Sequence, residues 1–178
     1  MIRILSRISL FLFVLVSCGT ILQACATTGQ LEAREKIGMH IDAVLEFAVG
    51  YPLSWKKDRR VAYSRKQGEV RWTDSGHPGM LLKVRSSLTK QPAGSTEQQI
   101  DQVLQEYIGL EKLVKQQVTL PSGEAWQISG HSVQSDLELY LMFREQRSYQ
   151  ISLEVPRGEI DSYLDLMNRI MDSFETIP

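Results

Sequence analysis

The segment TDSGHPG, Thr73 to Gly79, sets Asp74, Ser75 and His77 almost side by side, and these are the three residue types of a hydrolase triad. A triad needs its members delivered from separate segments, with the serine beside an oxyanion hole. Near neighbours in a Gly/Pro-rich turn instead use Asp and Ser to hold the backbone, so no catalytic residue is assigned and no enzyme is expected. No GxSxG, HExxH, CxxC or Gly-rich phosphate loop occurs in the chain. His40, His77 and His131 lie far apart and lack ligand spacing, so neither a metal nor a cofactor is expected. Trp55, Trp72 and Trp126 could line an apolar pocket or simply fill the core. The densest charge run is KKDRRVAYSRK, Lys56 to Lys66, with six basic residues and one acid. Lys56, Lys57, Arg59 and Arg60 in it form a candidate patch for an anionic partner; the competing reading is a solvated hairpin edge, where Lys and Arg discourage edge-to-edge pairing.

The two cysteines, Cys18 and Cys25, belong to a different chemistry. Residues 1–7 carry Arg3 and Arg7 and no acid, and the stretch from Ile8 to Ala26 is uncharged, the pattern of an export signal. An uncleaved membrane anchor is the alternative reading of that run. Each cysteine has a leucine at the third position before it and a small residue immediately before it, in LVSC and LQAC. These segments resemble the lipobox of bacterial lipoproteins, which implies lipidation of one cysteine. LVSC lies closer to the consensus. Cleavage before Cys25, however, leaves the small, polar ATTGQ as a tether, whereas cleavage before Cys18 leaves the apolar Thr20, Ile21 and Leu22 on the new N-terminus. Cys25 is therefore the preferred site and Cys18 the alternative. Ala26 stands where an aspartate would resemble an inner-membrane retention signal, so the expected location is the periplasmic face of the outer membrane in a cell with two membranes. Loss of Arg3 and Arg7 with a leader of residues 1–24 leaves 18 basic against 21 acidic residues, a net charge of −3. Nucleic acid is not an expected partner of such a domain.

The elements that must position any site can be read from periodicity. Leu31 to Val44 is rich in helix formers but broken by Gly38, which predicts a short helix or linker. VAYSR, Val61 to Arg65, and VRWTD, Val70 to Asp74, read as strands turned around Gly68, and Gly79 to Leu88 as another. Ile100, Val103, Leu104, Tyr107 and Ile108 recur at helical spacing, predicting a helix from Glu97 to about Leu113. Four strand-like runs come next, Val114–Leu120, Glu124–Ser132, Leu137–Glu145 and Ser148–Val155, joined by short polar gaps that imply an antiparallel meander. Ile160, Tyr163, Leu164, Met167, Ile170, Met171 and Phe174 form the apolar face of a last helix. The expected core comprises Leu53, Leu82, Val84, Leu104, Leu139, Leu141, Ile151, Leu153, Leu164, Met167 and Phe174.

This order reads as α+β, a mostly antiparallel sheet of about six to seven strands with helices packed on it. The expected organisation is a signal peptide over residues 1–24, a tether with a short helix or linker over 25–44, and one domain over 45–178. YPLSW (Tyr51 to Trp55), LPSGEAW (Leu120 to Trp126), SYQISLEVP (Ser148 to Pro156) and IMDSF (Ile170 to Phe174) resemble the PsbP-like family, whose fold is shared by an extrinsic subunit of photosystem II and a Ran-binding nuclear transport factor. The resemblance implies an accessory or binding protein without chemistry of its own, and it carries over no functional residue. Two function classes stay open. One is a non-enzymatic envelope accessory protein held to the membrane by its lipid and docking on an envelope protein; the other is a carrier of a small apolar or lipidic ligand, which requires an apolar cavity between helix and sheet.

Overall fold

In the computed structural model, residues 35–58, 63–89, 96–107 and 109–177 are described. The meander forms as its alternation predicts. Strands β1 (Ile37–Asp42), β2 (Phe47–Pro52), β3 (Lys56–Lys57), β4 (Gln67–Thr73) and β5 (Leu81–Leu88) precede helix α1 (Thr96–Leu104). Then come β6 (Glu111–Leu120), β7 (Gly123–His131), β8 (Ser135–Phe143) and β9 (Arg147–Pro156), a 3₁₀ turn (Ile160–Tyr163), helix α2 (Leu164–Asp172) and β10 (Glu175–Thr176). Seven strands make one antiparallel sheet in the order β3-β4-β5-β9-β8-β7-β6, and β1-β2-β10 make a second, also antiparallel. The architecture is α+β, as expected, with three strands more than the single large sheet accounts for. Residues 36–178 form one compact unit.

Both faces of the large sheet are covered at its centre, because side chains alternate along each strand and two different elements lie on the two sides. On one side Val70, Trp72, Leu82, Val84, Tyr149, Ile151 and Leu153 pack with Phe47 and Val49 of β2 and with Leu166, Met167, Ile170, Met171 and Phe174. On the other, Ile128, Leu137, Leu139 and Leu141 pack with Ile100, Val103 and Leu104 of α1. Buried polar contacts fasten the loop between β1 and β2 to the large sheet. Arg147 donates to Glu46 at 3.0 Å and to the Ser86 hydroxyl at 3.1 Å, and the Tyr149 hydroxyl donates to the Glu46 carbonyl at 2.9 Å. Asp42 accepts the N–H groups of Val44 and Leu45 and, at 2.6 Å, the Tyr63 hydroxyl.

Four expectations are corrected. Ile37 to Asp42 is a strand and not a helix: it pairs along the whole of β2, with Asp42 buried and Met39 and Ile41 exposed, so pairing and not an apolar face fixes it. The strand expected at Val61–Arg65 is not formed by Tyr63, Ser64 or Arg65, and Val61 and Ala62 lie outside the described residues. The turn sits at Ser64–Gln67, where the Ser64 hydroxyl accepts the N–H of Lys66 and of Gln67 at 3.2 Å. Gly68 is inside β4, and a Cβ there would lie 2.9 Å from Leu45 Cδ2, so this glycine serves close packing. The helix expected to reach Leu113 ends at Leu104: Gly109 takes φ +80°, a conformation favoured by glycine, and a bulge at Lys112 starts β6. Leu53, expected in the core, is 56% exposed, because it lies in the turn after β2 while Trp55 turns inward. Leu104 and Leu164 are half-buried, and the other expected core residues are buried.

Candidate functional site

Asp74 and His77 do meet, with Asp74 Oδ2 and His77 Nδ1 2.7 Å apart, but the contact belongs to a turn. Asp74 Oδ1 accepts the Gly76 N–H at 2.7 Å, and Ser75 and His77 are exposed. Burial alone would raise the Asp74 carboxyl, yet hydrogen bonds from His77 and the Gly76 N–H hold it below its usual range. Lys56 and Lys57 are exposed on the two-residue edge strand β3, and Lys57 Nζ lies 3.2 Å from His40 Nδ1. Arg59 and Arg60 lie outside the described residues, as do Cys18 and Cys25. Trp55 and Trp72 are core residues on one face of the sheet, and Trp126 joins the cluster on the other, so the three do not line a common pocket. Among the described residues no group of three or more His, Cys, Asp or Glu is placed to hold a metal ion, and no helix is long and apolar enough to cross a membrane.

Two buried carboxylates differ in a way that marks the site. Glu69, on β4, is clamped by guanidinium groups: Arg71 pairs with one carboxyl oxygen, and Arg85 donates to the other at 3.0 Å while also pairing with Glu106. Burial pushes the Glu69 carboxyl up, but these two arginines outweigh it and hold it below its usual range. That is the ordinary solution for a buried charge. Glu138, on β8, is only 1% exposed and has a different environment. Gln127 Nε2 donates to one oxygen at 2.5 Å and the Ser129 hydroxyl to the other at 2.7 Å, both from β7, and both donors are neutral. Burial therefore prevails over these two bonds, and the carboxyl is raised above its usual range. Nearby, burial first and then the charges of Glu138 and Asp172 push the Tyr140 hydroxyl up to about 12.

Glu138 lies in a cleft of about 280 Å³ walled by Lys112 of β6, by Ser129, Gly130 and His131 of β7, by Asp136 and Leu137 of β8 and by Ile160, Asp161 and Leu164. The strands place it there through register: Glu138 sits opposite Ser129 on β7 and Leu153 on β9, on the face toward α2. His131 Nε2, in the same wall, is sealed from solvent and has no hydrogen-bond partner among the described residues. Asp136 accepts the Gly158 N–H at 2.7 Å and so ties the far rim to the sheet. Sequence reasoning misses this site, since in LELYLMF an acid between two leucines reads as the solvent side of an alternating strand. The available signal is position, because a strand in the middle of a meander that leads into an amphipathic helix has no solvent side.

Neither a protein-family model nor a curated protein matches the chain. Among solved structures it is similar to the solution structure of cyanobacterial PsbP (CyanoP) from Synechocystis sp. PCC 6803, at 12% identity and a TM-score of 0.58, over 86% of this chain and 99% of that one. The fold is PsbP-like. The chain also aligns with LpqN, involved in cell envelope biogenesis of Mycobacterium tuberculosis, at 15% identity over 82% of this chain and 86% of that one. That superposition, with a TM-score of 0.45, is too loose to bear on fold or function.

Proposed function

We propose that the chain is an extracytoplasmic accessory protein, held to the membrane of the cell envelope by a lipid on Cys25, and that its domain works by binding through the Glu138 cleft. The leader and the tether ATTGQ support the anchoring. The observation that carries the binding is a carboxylate that lines an open cleft, is buried, and makes no ion pair among the described residues, an arrangement that ordinarily costs stability. The alternative of a carrier for an apolar ligand calls for an apolar cavity. The clefts beside Glu138, Glu69 and Trp126 are each lined by charged side chains.

Affinity capture of the full-length protein from its own membranes tests this reading. Recovery of whatever partner accompanies the wild type is expected to fall about tenfold or more in Glu138→Gln, the scale of losing a charged hydrogen bond. Reversal of Lys56, Lys57, Arg59 and Arg60 to glutamate is expected to leave recovery unchanged. The opposite pattern, with recovery that also weakens steeply with salt, would place the interface on the basic run. No change in either variant would remove both.

A further inference from the structure

The Glu138 cleft combines features that define the chemistry of its occupant. It offers a buried carboxylate whose two oxygens each take one neutral donor, leaving further lone pairs unfilled. Ile160 and Leu164, both partly buried, form an apolar wall beside this carboxylate. An anion would meet Asp136, Glu138 and Asp161 together and is disfavoured. A neutral alcohol would supply one donor and leave the carboxylate charge uncompensated. A primary ammonium supplies three N–H donors and a positive charge at the end of an apolar stem.

We infer that the cleft binds a primary alkylammonium group, its charge on Glu138 and its methylenes against Ile160 and Leu164. This deepens the reading of the cleft as the binding site and rests on it. The group could belong to a lysine side chain of a partner protein or to a small free amine; the recognition chemistry is the same. The charged and titratable groups around the carboxylate are Lys112 from β6, His131 from β7, Asp136 and Tyr140 from β8, Asp161 from the 3₁₀ turn and Asp172 from α2. Lys112 is exposed at the bulge and makes no ion pair with Glu138 among the described residues. Its charge opposes a cationic ligand weakly and would favour an anionic one, which makes it a discriminating position.

The test is a titration of the detergent-solubilised full-length protein at about pH 7, where an alkylamine is protonated. n-Butylamine, N-acetyl-lysine methylamide and n-butanol are compared, monitored through the backbone amide resonances of Ser129, His131 and Glu138. Both amines are expected to move these resonances saturably, and n-butanol is not. In Glu138→Gln the affinity is expected to fall about tenfold or more, while Lys112→Met keeps it or strengthens it. N-acetyl-lysine methylamide binding at least as tightly as n-butylamine assigns the occupant to a partner lysine, and the reverse order assigns it to a free amine. Equal binding of n-butanol, undiminished binding in a folded Glu138→Gln protein, or weakening by Lys112→Met would overturn the inference. If no amine binds but Glu138→Gln still loses the membrane partner, the cleft remains the binding site and only the ligand class falls.

Discussion

Cys25→Ser is expected to abolish stable membrane attachment, moving the protein to the soluble fraction or trapping it as an uncleaved precursor, while Cys18→Ser leaves it on the membrane. Cleavage needs a small residue before the cysteine, and Ser17 and Ala24 both satisfy that need, so the residues on the C-terminal side of each cysteine decide between them. Beyond Cys18 stands GTILQAC, whose apolar centre has no use as a spacer, and beyond Cys25 stands ATTGQ. The effect should be large, because one acyl chain holds a protein only marginally while two or three hold it firmly. Fractionation of both variants, with intact-mass measurement of the mature N-terminus, checks it. Loss of the lipid in Cys18→Ser alone would move the site to Cys18, and loss in neither would make the leader an uncleaved anchor.

Phe174→Ala is expected to cost about 3–5 kcal/mol, the usual range for truncating a buried phenylalanine. Phe174 is fully buried, with its ring centroid 5.4 Å from that of Tyr149 and 6.2 Å from that of Phe47. It therefore joins the segment just after α2 both to β9 of the large sheet and to β2 of the small one. Little of that hole can close, because both flanking rings are held by strands. Domains of this kind have about 5–15 kcal/mol in all, so the variant should be close to the edge of folding. A urea midpoint reports the loss directly, and a change below about 1 kcal/mol would mean that the two sheets repack around the hole.

The parts of the fold legible in the sequence are those whose apolar pattern has one dominant period. β6 to β9 alternate between turn residues, and the last helix repeats Leu164, Met167, Ile170 and Met171 on one side, so all of them can be read from the residues alone. β1 is hidden because Leu31, Glu32, Ala33, Arg34, Glu35 and Lys36 are helix formers, and the six residues after them become a strand only through β2 and the polar clasp at Asp42. The end of α1 is overrun because Leu110 and Leu113 continue a helical spacing by coincidence, while Leu113 is on the edge strand. The residues singled out for chemistry have conspicuous types or local clustering; Asp74 and His77 lie in a turn, and Lys56 and Lys57 lie on an edge strand. Glu138 has neither feature. Its significance arises from what covers it, which depends on strand order and on the placement of α2, and neither is encoded in the neighbouring residues.

If Glu138 is kept for binding and not for folding, its charge must weaken the fold, and equilibrium unfolding of Glu138→Gln and wild type across a range of pH shows whether it does. A carboxyl raised on folding means that the folded state binds more protons than the unfolded one, so wild-type stability is highest below the unfolded value and falls as pH rises through the folded one. Glutamine keeps the shape and can still hydrogen-bond Gln127 and Ser129, but it has no charge to desolvate. Glu138→Gln is therefore expected to be the more stable protein at neutral pH, with an advantage that shrinks as pH falls and is gone below the range in which free glutamate titrates. A variant less stable than wild type at neutral pH would contradict this, because Glu138 would then be a structural residue whose ionised form the fold itself requires.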